Sequence, residues 1–371
     1  MSETIVLSAD DVRRVLPVHE CIGVMREAFV ALAEGRATVP VRTAMGVGDH
    51  DERLLLMPAV MRAAGGADAR DGTTAASKAA NEAAAAGDPV HAWFGAKVLS
   101  VVPGNTAKGR DSHQGVVVLF EGEYGSVVAM VDAGAITAIR TAAVSAVATQ
   151  ALARADAGCL AIIGSGVQAA SHLAAMAAVR PLREVRVWSP DRERCAAFVK
   201  RATEELGVNA ETGARLQISA AARARDAVAG ADIICAVSGA TTPIIESGWI
   251  RTGTHINAVG AHRPHERELD SATIQRARVF VDYLPSAMEE AGDILLPIGE
   301  QVIDRTHVLG DLTSLVTNRV PGRVAPEDVT IFKSVGLAIE DIAAAAHAYR
   351  RALAAGVGTR PANTNTNTNT R

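Results

Sequence analysis

The chain has 371 residues, of which 49% are hydrophobic and 21% charged, with a formal net charge of −4. That is the composition of a globular chain with core enough for about two domains. It carries no Lys/Arg run, which argues against a nucleic-acid partner, and its longest apolar stretches read as shorter than a membrane span of about 20 residues, which argues against a membrane protein. Cys21, Cys159, Cys195 and Cys235 are scattered, with no CxxC and no Cys/His cluster. Reduced thiols in a cytoplasm are expected, and no structural metal. The opening MSETIVLSADDVRRVL is acidic and helix-starting, unlike a signal peptide.

Residues 8–35 predict a helix, with Ser8 as cap, Asp11 three residues on, and a stop at Gly35. Short runs with strand character follow at 39–45, 53–57, 94–101, 115–120 and 127–132. A helix followed by a strand meander is the order of an α+β domain. Residues 63–90 are rich in Ala, Gly and Asp, with no large apolar residue before Val90. They read as a solvated insertion without chemistry. A long helical segment, 132–153, leads into the second half. There strand-like runs at 160–163, 185–188, 233–237, 255–259 and 279–282 alternate with helices, the pattern of a parallel sheet covered on both faces. Beyond about 320 the pattern changes. Residues 331–336 lead into an amphipathic helix, 337–354, expected to pack back on the first domain. The Asn-Thr tail reads as disordered. The predicted organisation is α/β: a substrate and dimerisation domain from 1–133 plus 320–358, a dinucleotide-binding Rossmann domain from 134–319, and a tail from 359–371.

The most telling motif is LAIIGSGVQAASHL, residues 160–173. A buried strand runs into Gly164-Ser165-Gly166, and a helix starts at once with Val167 and Gln168. This is the dinucleotide-binding turn, with Ala169 in the place of its third glycine. Gly164 permits the turn, Gly166 admits a pyrophosphate, and the helix N-terminus offers N–H donors. After the next strand, an NAD site usually carries an acid for the ribose hydroxyls. Here Ser189 comes first, then Pro190, Asp191 and Arg192. Ser189 and Arg192 suit a 2′-phosphate, which favours NADP(H). NAD(H) is the alternative, through Asp191. Val237, Ser238, Val259 and Gly260 end two further parallel strands, at the edge where such sheets bind ligands.

The chain resembles the ornithine cyclodeaminase/mu-crystallin family. The resemblance rests on VPVRTAM (39–45), LLLMPA (54–59), GAKVLSVVPGN (95–105), HQGVVVLF (113–120), DAGAITAIRTAAVSAVAT (132–149), the dinucleotide turn, NAVGAHRP with ELD (257–270), AGDILLPI (291–298) and FKSVGLAIEDIAAA (332–345). It implies a homodimer whose members move a hydride between a nicotinamide and the α-carbon of an amino or imino acid. It further implies that Arg42, Lys97 and Arg140 hold the substrate carboxylate, with Met57 beside them. Thr141 and Arg140 meet cofactor phosphate or substrate carboxylate. Lys333 and Gly336 lie where the chain returns to the cofactor. Guanidinium forks and an ammonium suit a carboxylate, and Lys97, packed beside arginines, would have its proton affinity lowered and exchange a proton with the substrate nitrogen.

One position departs from the cyclodeaminases. Where they carry an aspartate after the strand-end glycine, this chain has His262, followed by Arg263. Arg263 is a further contact for substrate or cofactor. Histidine exchanges protons near neutrality but lacks a carboxylate's attraction for an ammonium. The expectation is therefore a reductase of small, including cyclic, α-imino acids, with Lys97 and His262 handling the proton. An amino-acid cyclodeaminase, an alanine-type dehydrogenase and a non-enzymatic NADP-dependent ligand carrier are the alternatives. A loop histidine without a role is the plainer reading of His262.

Overall fold

The computed structural model describes residues 4–47, 52–63, 92–207 and 215–361. In chain order the elements are β1 (Ile5–Leu7), α1 (Ala9–Val15), α2 (Val18–Ala33), β2 (Ala37–Thr38), β3 (Thr43–Gly46), β4 (Arg53–Arg62), β5 (Ala92–Val101), β6 (His113–Glu121), β7 (Val127–Asp132) and α3 (Ala133–Leu152). Then come β8 (Cys159–Ile163), α4 (Val167–Val179), β9 (Glu184–Trp188), α5 (Arg192–Leu206), β10 (Gln217–Ala220), α6 (Ala224–Val228), β11 (Ile233–Ala236), β12 (His255–Ala258), α7 (Ser271–Arg276), β13 (Arg278–Val281), α8 (Leu284–Glu290), α9 (Gly292–Gly299), β14 (Val308–Asp311), α10 (Leu312–Val316), β15 (Thr330–Lys333) and α11 (Ala338–Ala355).

The described residues form two compact units. One takes the chain up to Pro17, Glu34–Thr137 and everything from Ala338; the other takes Val18–Ala33 and Ala138–Leu337. In the first unit seven strands pair in the order β1-β7-β6-β5-β4-β2, with β3 also on β4. β1 is parallel to β7; the other pairings are antiparallel. Along β5 the side chains of Trp93, Lys97, Leu99 and Val101 are buried, the period of two that a half-covered sheet demands. α11 lies across β4, β5 and β6, so the last helix packs on the first domain as the sequence predicts.

The second unit is a fully parallel sheet of eight strands in the order β10-β9-β8-β11-β12-β15-β13-β14. Its interior is aliphatic: Ile162, Ile163, Ile234, Ile256, Val279 and Ile331 are all fully buried. The strand order reverses between β8 and β11, which puts the switch point of a Rossmann-type sheet beside the glycine turn.

Four expectations change. The helix predicted over 8–35 is two helices. Ser8 and Asp11 form the expected capping box at the start of α1, but Pro17 lacks an N–H and drives Leu16 out of the helical region (φ −127°, ψ 70°). Second, residues 18–33 and 320–337 were read with the first half. α2 instead packs on α4 and α10, and β15 pairs on both sides, with β12 and β13. Third, α3 spans 20 residues and is apolar enough to cross a membrane by length and composition. With 78% of its most apolar window buried inside the protein, its setting is that of a core helix. Fourth, the ordered chain continues past 358, because Thr359 exchanges two backbone hydrogen bonds with Val6, at 2.8 and 3.0 Å. The readings of an insertion within 63–90 and of the Asn-Thr repeat lie outside the described residues.

Candidate active site

The glycine turn follows directly from β8. Gly164 has φ +132°, and a Cβ there would stand 2.7 Å from the Val237 carbonyl oxygen, so only glycine fits. Its N–H donates to Trp188 O at 2.8 Å, tying the turn to the end of β9. Gly166 is the N-cap of α4, and a Cβ there would meet open space. Ala169 is fully buried, as the small third position requires. Val167 is 62% exposed and begins the helix whose N-terminus presents backbone donors. These features fit a dinucleotide pyrophosphate. Gln168 contributes its carbonyl to the scaffold: it accepts from His172 Nδ1 at 2.8 Å. That fixes the tautomer, so His172 Nε2 accepts from Ser145 Oγ at 2.9 Å and pins α4 to α3. Burial drives the His172 imidazole down to about 4, so it stays neutral.

Ser189 is half-buried at the end of β9, and Arg192 is exposed in the first turn of α5. The Asp191 carboxylate caps that helix, accepting from Arg194 N at 3.0 Å and pairing with Arg194 Nε at 3.3 Å.

At the ends of β11 and β12 the organising group is Glu268. It accepts from Ser238 N at 2.8 Å, Ser238 Oγ at 2.6 Å and Gly260 N at 2.8 Å. Burial pushes its carboxyl above the usual range, against the pull of the Ser238 bonds; Asp293 raises it further and Lys333 lowers it. Asp293 holds the next residues, accepting from Glu268 N at 2.9 Å and Leu269 N at 3.1 Å. Lys333 is fully buried, pairs with Asp293 at 2.9 Å and donates to Ala261 O. The Lys333 amine thereby holds the loop that bears His262. His262 itself is exposed, its Nδ1 3.3 Å from Gly260 O, and Arg263 pairs with Glu266 at 3.5 Å. Val237 and Val259 lie on the same strand ends, where Val237 N donates to Ile163 O and Val259 N to Ala236 O.

Arg140 is buried on α3, with Thr141 buried beside it. Its guanidinium packs against Gly336, where a Cβ would come within 2.7 Å of Nη1. Gly336 has φ +80°. Gly336 thus gives the Arg140 guanidinium room for a close approach. Asp282 secures this turn, its Oδ2 accepting from Ser334 Oγ at 3.0 Å and from Val335 N and Gly336 N at 2.6 Å each.

In the first unit, Lys97 on β5 pairs in register with Met57 on β4 and Val117 on β6, both buried. Arg42, half-buried, precedes Thr43, whose partner on β4 is Leu56. Thr43, next to Arg42, and Lys97 thus stand at neighbouring rungs on the two sides of β4. The Lys97 ammonium contacts Asp341 Oδ2 at 2.8 Å and Thr137 Oγ1 at 3.3 Å. The sequence expects arginines around Lys97; the structure adds an anion, Asp341, to the surroundings of the ammonium. Asp341, Glu268, Asp282 and Asp293 were not singled out from the sequence. Their signal was an acid on an otherwise apolar helix face (Asp341) or directly after an apolar strand (Asp282).

The ornithine cyclodeaminase/mu-crystallin family model matches residues 82–356. The Delta(1)-pyrroline-2-carboxylate reductase of Bacillus cereus is 33% identical over 357 residues, 96% of this chain and 99% of that protein. The ketimine reductase mu-crystallin of Rattus norvegicus is 33% identical over 347 residues, 92% of this chain and 96% of that protein. Among solved structures, the Thermococcus litoralis Delta(1)-pyrroline-2-carboxylate reductase in complex with NADH and L-proline superposes with a TM-score of 0.84 at 34% identity, over 96% of this chain and all of that one. The chain belongs to the ornithine cyclodeaminase/mu-crystallin family.

Proposed function

We propose that this protein is an NAD(P)H-dependent reductase of small α-imino acids, cyclic ketimines such as pyrroline-2-carboxylate among them. The observation that carries the reading is the strand end after β12. The residue beyond Gly260-Ala261 is an exposed histidine, not the aspartate that cyclodeamination needs to draw in an ammonium. The similarity to two imine reductases over nearly the whole chain supports it.

A nicotinamide held at the glycine turn would supply the hydride. The chain's own residues do the rest. Arg42, Arg140 and Lys97 bind and orient the substrate carboxylate. Lys97 or His262, directly or through a water, provides the proton. The imine carbon gains the hydride, the nitrogen gains the proton, and a saturated amino acid leaves. NADP(H) is the proposed cofactor, with NAD(H) the alternative. Asp191 caps α5, which leaves Ser189 and Arg192 to meet a 2′-phosphate. A homodimer is proposed as the working form; the exposed apolar side chains Met45 and Leu56 on β3 and β4 support it.

The test is an absorbance assay with NADPH or NADH and a ketimine panel, run beside ornithine, lysine and alanine with ammonia detection. Ketimine-dependent oxidation of NADPH is expected. Ammonia release from ornithine without added reductant sinks the reading, and an NADH preference reverses the cofactor assignment.

A further inference from the structure

Lys97 occupies a core-facing position of β5, where the alternation of the strand calls for an apolar side chain. Only 3% of its side chain is exposed, and its cross-strand neighbours are Met57 and Val117. An ammonium in such a place is untenable alone, because stripping a charge of its water is costly. Asp341, with no exposed side-chain surface, supplies the counter-charge at 2.8 Å.

The backbone is shaped for this meeting. Two residues along β5 stands Gly95, where a Cβ would strike the Val118 carbonyl oxygen of β6 at 2.0 Å and also crowd Ile342 Cδ1 of α11 at 3.2 Å. Without a side chain there, α11 comes down on the strand, and Asp341, next to Ile342, reaches the Lys97 amine. Asp341 also lies in the first turn of α11, where the helix dipole favours an anion. Thr137 Oγ1 gives the amine a second fixed contact.

We infer that Asp341 is a positioning residue for the reaction: it fixes the location of the Lys97 amine and keeps it charged between turnovers. The inference rests on the role proposed for Lys97. When Lys97 gives its proton to the substrate nitrogen, the neutral amine regains one from water, and the neighbouring carboxylate favours that return. Asp341 acts through Lys97 and needs no contact with substrate.

The test uses the full chain, NADPH and Delta(1)-pyrroline-2-carboxylate. Lys97→Gln comes first; an unchanged rate there removes Lys97 and the role proposed for it. If that rate falls, Asp341→Asn is expected to lower kcat about tenfold or more, the scale of a catalytic group displaced by a fraction of an ångström. The KM for NADPH should stay within about twofold. In the Lys97→Gln background, Asp341→Asn should cost nothing further, because the two act as one unit. A wild-type kcat in folded Asp341→Asn, or an additional loss in the double variant, overturns the inference and leaves the role of Lys97 standing. Should Asp341→Asn not fold, Asp341→Glu carries the measurement. It keeps the charge but moves it by one methylene, and a wild-type kcat there is equally fatal.

Discussion

The glycine turn and the Lys97 pair solve the same problem, placing charge-binding groups, by opposite means. The turn after β8 is made of backbone. Its donors are N–H groups, its geometry comes from Gly164 and Gly166, and its neighbours are the adjoining strand ends. The Lys97 site is made of side chains drawn from opposite ends of the chain. Backbone sites depend on what a residue lacks, so added atoms damage them. Side-chain sites depend on what a residue carries, so they fail by truncation.

Lys97→Ala should therefore show the largest effect: turnover down about a thousandfold, with NADPH binding by fluorescence titration unchanged. Turnover near wild type would remove the distinction. Gly164→Val should show the converse. Its Cβ would press on the Val237 carbonyl at 2.7 Å, so NADPH binding should vanish and stability fall by about 3 kcal/mol in a urea melt. Retained NADPH binding would mean that the turn tolerates a side chain after all.

Acid offers a milder probe of the second unit alone. His172 and His255 are held neutral by burial, at about 4 and about 3. In the unfolded chain both take up a proton below about 6.5. Their contribution is whole above that value and is lost as the pH falls from there toward 4. Each should cost about 2 kcal/mol by pH 5, read as a drop in the urea midpoint relative to pH 7.5. His172→Gln should flatten part of that slope; an unaltered slope would deny the histidine its part. The smallest effect belongs to Asp191→Ala, which removes the cap of α5. A loss of about 1 kcal/mol is expected, with no change in the preference between NADPH and NADH. A shift toward NADPH would show that Asp191 meets the ribose.

What was legible in the sequence follows the same division. The turn, the capping box at Ser8 and the alternation of strands and helices are local patterns, and each lies where the sequence predicts. The break at Pro17 is a local signal too, since proline cannot continue a helix. β15 was not read as a sheet strand, because its four residues look like an entry to α11 and its partners β12 and β13 lie far along the chain. The roles of Asp341, Asp282 and Glu268 depend on contacts that no spacing encodes. For the same reason the pairing of Lys333 with Asp293 has no signature in the sequence.

β15 also sets a constraint on how the protein is made. The strand that fills the gap between β12 and β13 is the last one among the described residues, and α2, from near the start, belongs to the same unit. The first unit likewise needs both α1 and α11. During synthesis neither unit can be completed before residues beyond 330 have left the ribosome, so the usual course of finishing the N-terminal domain first is closed to this chain. A nascent chain stopped short of β15 carries a parallel sheet with an open slot in its middle. No single cut of the chain separates the two units.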